Sequence, residues 1–292
     1  MKLGRLFSVA LAVLLFTLLA HSGRRNSAQL SETVDLPATY ELDFSLASKM
    51  RSQVGSLRPT VDSDVSERAG LEVFRGLINS EMISTLGLPY QWNFSINEAQ
   101  DVNAGSLSNG TVMATRGMVK QVGVDRGLWA AVLSHEIAHV ERRHIVREVL
   151  YHQYIQQQIE YYKLRARLGD RSAGWTAAAL QIAGAIAEKK LSRDLEHDAD
   201  SQGMLLMARA GYHPDYVFAM HHLMRLGTGE RSKIGTFFFS DHPRWETRDQ
   251  ANRTGIYGSL DRIQPTVAGS CVVARWTSAT GCILGQDQDK RK

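Results

Sequence analysis

The chain has 292 residues, of which 43% are hydrophobic and 22% are charged, as in an ordinary globular protein. That length suffices for one sizeable core or two small ones. The formal net charge is +4, and two of the positive charges, on Lys2 and Arg5, fall in a segment that we expect to be removed. So small a charge gives no reason to expect nucleic acid or a strongly acidic partner.

Residues 1–22 have the pattern of an export signal. Lys2 and Arg5 precede an uninterrupted run of apolar and weakly polar residues from Leu6 to Ala20. Ala20 and Ser22 have the small-x-small spacing of a cleavage site. The run is shorter than the about 20 residues that a membrane span needs. An uncleaved anchor is the main alternative, whereas a mitochondrial presequence would be amphipathic. We therefore expect a periplasmic or cell-envelope protein.

The next elements are predicted from composition and periodicity. Residues 23–65 are polar, which favours irregular or partly helical structure. The stretch ERAGLEVFRGLINSEMIST has apolar residues at helical spacing. QWNFSIN and GTVMATR are typical of strands, and AGSLSNG is a turn-rich connection between them.

From Gly127 to about Leu226 the pattern predicts helix, interrupted near residues 167–174. Residues 175–187 are apolar but number only 13, which fits a buried or interfacial helix better than a bilayer span.

The segment AVLSHEIAHVERRH holds a HExxH pattern inside this helical region. On a helix, His135 and His139 lie one turn apart on one face, and Glu136 lies beside them. An apolar stripe lies roughly opposite, formed by Trp129, Leu133, Ile137 and Val140. A pair of hydrogen-bonded core histidines is the ordinary explanation of such a pattern. Enclosure of the helix favours a metal, because buried polar groups need partners.

A third ligand is needed, since catalytic zinc usually takes three protein ligands. LSRDLEHDADSQGM offers Glu196 as that ligand and, four residues later, Asp200. Asp200 could accept a hydrogen bond from the free ring nitrogen of a zinc-bound histidine. A Glu-x-x-x-Asp pair taken alone is usually a solvated helix face.

Residues 261–292 form a predicted C-terminal tail with the only two cysteines, Cys271 and Cys282. Two short β-branched runs flank a polar turn here, so a hairpin closed by one disulfide fits an exported chain. Two separate thiols are the alternative.

AAVLSHEIAHVERRH followed by SRDLEHDADSQG resembles the gluzincin zinc endopeptidase family of HtpX, BepA and the CAAX prenyl endopeptidase. DVNAGSLSNGTVMATRGMV, AGYHPDYVFAMHHLMRL and FFFSDHPRWETR resemble further family segments, in the family's order. The chain has neither the transmembrane helices nor the C-terminal repeats of longer members. It is therefore most similar to a short, exported, single-domain branch.

The resemblance implies a mainly α-helical α+β zincin-like fold, with a small β-sheet or hairpin beside the active-site helix and a peptidase domain over residues 66–260. It implies one zinc ion per chain, held by His135, His139 and Glu196, with Asp200 behind the ligands. Glu136 would act as general base. His242 is a hypothetical oxyanion donor or gate, with a surface loop histidine as the alternative, and Arg248 is expected to be structural.

GTVMATR is interpreted as an edge strand that would bind an extended peptide through Gly110, Thr111, Val112 and Met113. Such binding requires unfolded substrate, so we expect quality control of unfolded or misassembled envelope proteins, with peripheral membrane association left open. Two rivals remain: a latent protease that acts as a chaperone-like binder, and a structural protein with a decayed site. His144, five residues past His139, is expected to face away from the metal.

Overall fold

The computed structural model describes residues 35–227 together with Arg248, Gln250 and Asn252. The predictions made for residues 1–22, for His242 and for the pair Cys271 and Cys282 lie outside these residues. Residues 39–145 and 196–227 form one compact unit, and residues 146–195 belong to a second.

The described residues are mainly helical, with one small mixed sheet, which confirms the predicted fold class. In chain order the elements are α1 (Glu41–Arg51), β1 (Leu57–Pro59), α2 (Val65–Ile78), α3 (Glu81–Ser84), β2 (Asn93–Asn97), β3 (Ala104–Ser106), β4 (Thr111–Thr115), α4 (Arg116–Val122), α5 (Arg126–Glu141), α6 (His144–Arg167), α7 (Arg171–Arg209) and α8 (Tyr216–Gly227).

The sheet has the strand order β1-β2-β4-β3, and only the β2–β4 pair is parallel. The prediction that GTVMATR is an edge strand is therefore wrong. Its residues 111–115 form β4, which is hydrogen-bonded to β2 on one side and to β3 on the other. AGSLSNG is also more than a connection, because its first three residues form β3. Among the described residues, β3 is the edge strand on this side.

The core of the larger unit surrounds α5, as the apolar stripe predicted. Trp129, Leu133 and Ile137 are fully buried. Phe94 of β2 packs on Phe74 of α2, with 5.8 Å between ring centroids, and edge-on against Trp129 at 5.7 Å. Helix α5 also contacts α8 and β3. Its polar residues are consequently held among packed side chains.

Residues 39–65, from the segment predicted as irregular or partly helical, belong to this unit. Strand β1 pairs with β2, and Arg58 lies opposite Ile96 in that pairing. The buried Asp43 of α1 accepts hydrogen bonds from Tyr90 Oη at 2.8 Å and from Arg143 Nε at 3.0 Å. These contacts join the N-terminal part of the described chain to the sheet and to the end of α5.

Helices α6 and α7 of the smaller unit are separated only by residues 168–170, which confirms the predicted interruption. A small cluster of Tyr151, Leu191 and Leu195 joins the two helices. The apolar stretch 175–187 is helical, but Trp175 and Ile182 are 76% and 68% exposed, so it is not a buried helix. Within the described residues, no helix combines the length and apolarity needed to cross a bilayer.

A buried carboxylate ties three elements of the larger unit together. Glu67 of α2 is fully buried and accepts two hydrogen bonds from Arg58 of β1, at 2.7 and 2.9 Å. Arg116, at the start of α4, also pairs with Glu67. Burial opposes ionisation of this carboxyl, but the Arg58 guanidinium and the Val61 amide lower its pKa below 4.5.

Replacing Glu67 with Gln is expected to lower the free energy of unfolding by about 1–3 kcal/mol near neutral pH, because the hydrogen bonds to two guanidinium groups are lost. Because the folded-state pKa is depressed, the stabilisation by Glu67 is present above about pH 4.5 and is lost as the pH falls through the folded-state pKa. Urea unfolding at neutral and acidic pH measures the difference between the two proteins.

Glu98→Gln is the matched control, because Glu98 pairs with the same Arg58 but is an exposed residue. It should cost less than about 1 kcal/mol. Equal costs for the two variants, or a Glu67→Gln cost that does not shrink on acidification, would contradict this account.

Candidate metal centre

Three side chains converge where α5 meets α7. His135 Nε2 lies 3.1 Å from His139 Nε2 and 3.5 Å from Glu196 Oε2, and His139 Nε2 lies 3.4 Å from Glu196 Oε1. His135 and Glu196 are buried, and His139 is partly buried. Among the described residues, these three form the one cluster of potential metal ligands.

The spacing of the three ligand side chains is compatible with a tetrahedral zinc ion, the two histidine nitrogens being nearest to different oxygens of Glu196. Nitrogen and oxygen atoms bound to one zinc at tetrahedral angles lie about 3.3–3.4 Å apart. The observed separations of 3.1, 3.4 and 3.5 Å bracket that distance. Imidazole and carboxylate are also the donor types that zinc prefers, so these residues fit the ion.

The close approach of α7 to α5 depends on a glycine. A Cβ on Gly203 would lie 3.1 Å from the backbone nitrogen of His135 and 3.2 Å from its Cα. The carbonyl carbon of Ser134 would lie 3.3 Å from the same Cβ. Gly203 therefore lets α7 bring Glu196 to the two histidines.

Asp200 lies behind His135, as predicted. Its Oδ1 is 3.0 Å from His135 Nδ1, the ring nitrogen that does not face the other ligands. Asp200 also accepts hydrogen bonds from Arg248 Nε at 2.7 Å and from Asn252 Nδ2 at 3.1 Å. This carboxylate fixes the tautomer of His135, with Nε2 left as the metal-facing acceptor.

Arg248 pairs with the buried Asp200, and it also contacts the candidate ligand Glu196. Its Nη1 lies 2.9 Å from Glu196 Oε2, and the side chain is almost fully buried. The buried His221 lies 3.6 Å from Asp200, although its sequence spacing gave no hint of a place near the site.

The charges set the protonation of these groups. Burial alone would raise the pKa of Asp200, but the neighbouring Arg248 guanidinium holds it well below its usual range. Burial opposes protonation of His135, yet the carboxylates of Asp200 and Glu196 raise its pKa to about 10. A proton and a divalent cation therefore compete for the same electronegative position.

Glu136 is buried on α5, directly after the first histidine. Ser106 of β3 donates a hydrogen bond from its hydroxyl to Glu136 Oε2 at 3.1 Å. Neither the residue nor the strand position of Ser106 was singled out in the sequence. The contact places the sheet edge formed by β3 next to the predicted general base.

His144 does not face away from the ligands, contrary to expectation. That prediction extended the α5 helix past His139, but α5 ends at Glu141 and α6 begins at His144. Between them Arg143 takes a φ of 55°, a left-handed conformation that turns the chain back. As a result, His144 Nδ1 lies 3.1 Å from His139 Nδ1.

The other ring nitrogen of His144 contacts a carboxylate. Nε2 lies 2.9 Å from Asp198 Oδ2, and Arg142 Nε donates to the same oxygen at 2.9 Å. Burial lowers the pKa of His144 to about 4 despite the hydrogen bond to Asp198. Asp198 stands two residues after Glu196, so α7 carries the ligand and this acceptor together.

The residues predicted to bind peptide do not present a free strand edge. Thr111, Val112 and Met113 are buried within β4, and both backbone sides of that strand are paired. Gly110, with a φ of 94°, belongs to the tight turn between β3 and β4.

Two histidines and a glutamate around one position form the His₂Glu ligand set of catalytic zinc sites in peptidases. The chain belongs to peptidase family M48, whose family model matches residues 77–254, more than half of its length. Membership implies a zinc metallopeptidase. Comparison with curated protein sequences gave no match.

Asp200→Asn is expected to weaken zinc binding by about 10–100-fold, because the amide carries no charge and must offer its NH₂ group to Arg248 or to His135, both of which donate. Competition with a chromophoric chelator at fixed pH measures the zinc dissociation constant.

Asp194→Asn provides the control on the same helix, because Asp194 pairs with Lys190. That variant should bind zinc like the parent protein. Unchanged zinc affinity in Asp200→Asn would show that Asp200 does not support His135.

Proposed function

We propose that this protein is a zinc-dependent endopeptidase that hydrolyses peptide bonds of unfolded or misassembled cell-envelope proteins. The observation that carries the proposal is the triangle of the His135, His139 and Glu196 side chains, in which the nearest ligand atoms of each pair lie 3.1–3.5 Å apart, with Glu136 next to the first histidine on the same helix.

A zinc ion held by the triangle supplies a Lewis acid for the scissile carbonyl and lowers the pKa of water toward about 7. The proton of the attacking water is transferred by a residue of the chain. Glu136 accepts it from the attacking water and returns it to the leaving amine, as a general base and then a general acid. The Ser106 hydroxyl donates a hydrogen bond to Glu136 Oε2 and so restrains this carboxylate, which leaves Oε1 to take up the proton.

The substrate class is inferred from strand β3, which lies beside the site. Strand β3 is the sheet edge among the described residues, and Ser106 on it contacts Glu136. We infer that a substrate chain adds to β3 through its backbone, in place of the β4 pairing that the sequence predicted. Backbone pairing tolerates many side chains but requires an extended, unfolded segment. The export pattern of residues 1–22 supports action in the periplasm or cell envelope.

Glu136→Gln should lower the rate of casein digestion by about 10²–10⁴-fold while zinc remains bound, because the amide cannot take up the proton. Removal of zinc by a chelator should abolish digestion in the parent protein, and added zinc should restore it. The digestion rate and the zinc content are measured on the same preparations.

Glu72→Gln is the control variant, since Glu72 forms an exposed pair with Arg126. Including a stably folded protein tests the substrate class, and cleavage as fast as that of casein would contradict it. The latent-binder alternative requires that Glu136→Gln keep the full biological role of the parent. A zinc content far below one ion per chain would favour a decayed site.

We also propose that the turn between α6 and α7 binds an anionic lipid surface peripherally. Leu168 and Trp175 are 78% and 76% exposed on either side of this turn. Basic residues surround them in the segment KLRARLGDRSAGW. Exposed Leu and Trp beside basic side chains are the composition that binds at the headgroup level of anionic membranes.

Vesicle co-sedimentation tests this surface. The full chain should sediment with phosphatidylglycerol vesicles but not with phosphatidylcholine vesicles. Leu168→Ser combined with Trp175→Ser should weaken the binding by about tenfold or more, from the apolar area lost. Val124→Ser, at a 62% exposed apolar position outside the turn, should leave binding unchanged. Equal binding by all three proteins, or none to anionic vesicles, would refute the proposal.

A further inference from the structure

The two metal-facing histidines are supported in different ways. His135 has a carboxylate directly behind it, with Asp200 Oδ1 3.0 Å from Nδ1. His139 instead has an imidazole behind it, with His144 Nδ1 3.1 Å from His139 Nδ1. His144 is buried and is not a member of the ligand cluster. Its position therefore calls for a role other than metal binding.

The contacts of His139 and His144 determine which ring nitrogen of each histidine carries the proton when a metal is bound. His139 Nε2 faces the other two ligands, so it must present a lone pair to the metal. A neutral imidazole carries one N–H, which for His139 is then on Nδ1. That N–H can be donated only to a lone pair, so His144 Nδ1 is the acceptor. The single proton of His144 is consequently on Nε2, which faces Asp198 Oδ2 at 2.9 Å.

Asp198 is well placed to end this chain of hydrogen bonds. Its Oδ2 also accepts from Arg142 Nε at 2.9 Å, and its Oδ1 lies 3.5 Å from Arg142 Nη2. The carboxylate is thus held on one side by a cation and directed on the other side at His144. In this series Arg142 and His144 donate to Asp198, and His139 donates to His144.

The backbone at Arg143 also keeps His144 next to His139. Arg143 adopts its left-handed φ of 55° while buried, and it pairs through Nε with Asp43 Oδ1 at 3.0 Å. It also donates to the Thr39 carbonyl at 2.9 Å and lies over the Tyr40 ring. These contacts offset the unfavourable left-handed conformation of a non-glycine residue. Their effect is to hold His144 against His139.

We propose that His144 is a positioning residue of the metal centre, which relays the Asp198 carboxylate to His139 and thereby holds His139 in the tautomer and orientation that bind the metal. The inference rests on the proposed zinc site and deepens it. The two ligand histidines would then each be backed by an aspartate of α7, one directly and one through an imidazole. Outer carboxylates of this kind tune metal affinity by about 10–100-fold.

The test measures zinc affinity rather than peptidase activity. His144→Phe keeps the ring but removes both nitrogen atoms, so the zinc dissociation constant should rise by about 10–100-fold. His144→Gln offers an amide oxygen to His139 and an NH₂ group to Asp198, so it should recover most of the affinity. The visible absorption of the cobalt(II)-substituted protein reports the ligand geometry, and it should change in the Phe variant and return toward the parent spectrum in the Gln variant.

His152→Phe is the matched control, being the same substitution at an exposed histidine on the same helix. It should leave zinc affinity and the cobalt spectrum unchanged. If His144→Phe does not fold, Asp198→Asn is compared with His144→Gln, and the Asn variant should be the weaker zinc binder. Parent-like zinc affinity in His144→Phe, or in Asp198→Asn, would overturn the relay while leaving the proposed peptidase intact. Failure of the parent protein to bind zinc would overturn both.

Discussion

Two imidazoles and a carboxylate form a triangle at the meeting point of α5 and α7, in a largely buried region, and the nearest ligand atoms of each pair of side chains lie 3.1–3.5 Å apart. Two imidazole nitrogens and a carboxylate are held together so closely only when something positive binds between them, either a proton or a metal cation. Much of the larger unit is arranged to hold this triangle: the enclosed α5 helix, the close approach at Gly203, and the buried carboxylates behind the histidines.

The carboxylates behind the ligands explain why other buried or partly buried polar groups lie close to the site. Asp200 is fully buried but accepts hydrogen bonds from Arg248 and Asn252 and lies 3.0 Å from His135 Nδ1, and Asp198 is shared between Arg142 and His144. Buried charges without such partners would cost several kcal/mol each. Because Glu196, Asp198 and Asp200 all lie on one stretch of α7, a single helix delivers a ligand and both supports. In this chain α7 therefore carries Asp198 and Asp200 as well as the candidate ligand Glu196.

Periodicity was enough to predict the parts of the site that lie within one regular element. His135 and His139 share a helix face because α5 is continuous through both, and Asp200 shares a face with Glu196 for the same reason on α7. The prediction for His144 failed because helical phase cannot be extended across Arg143, whose φ of 55° restarts the helix. The left-handed conformation is stabilised by Asp43, which is 100 residues earlier in the chain and therefore has no local signal. The prediction that β4 is an edge strand was wrong for a similar reason. Alternation predicted β2 and β4, but β3, which pairs with the other side of β4, has only three residues and is too short to show a period.

X-ray absorption spectroscopy at the zinc edge, combined with the metal content of the purified full chain, tests the metal centre itself. About one zinc ion per chain is expected, with nitrogen and oxygen neighbours at about 2.0–2.2 Å and scattering from two imidazole rings. Sulfur in the coordination shell, only one imidazole, or a protein that retains no zinc when purified without chelators would contradict this expectation.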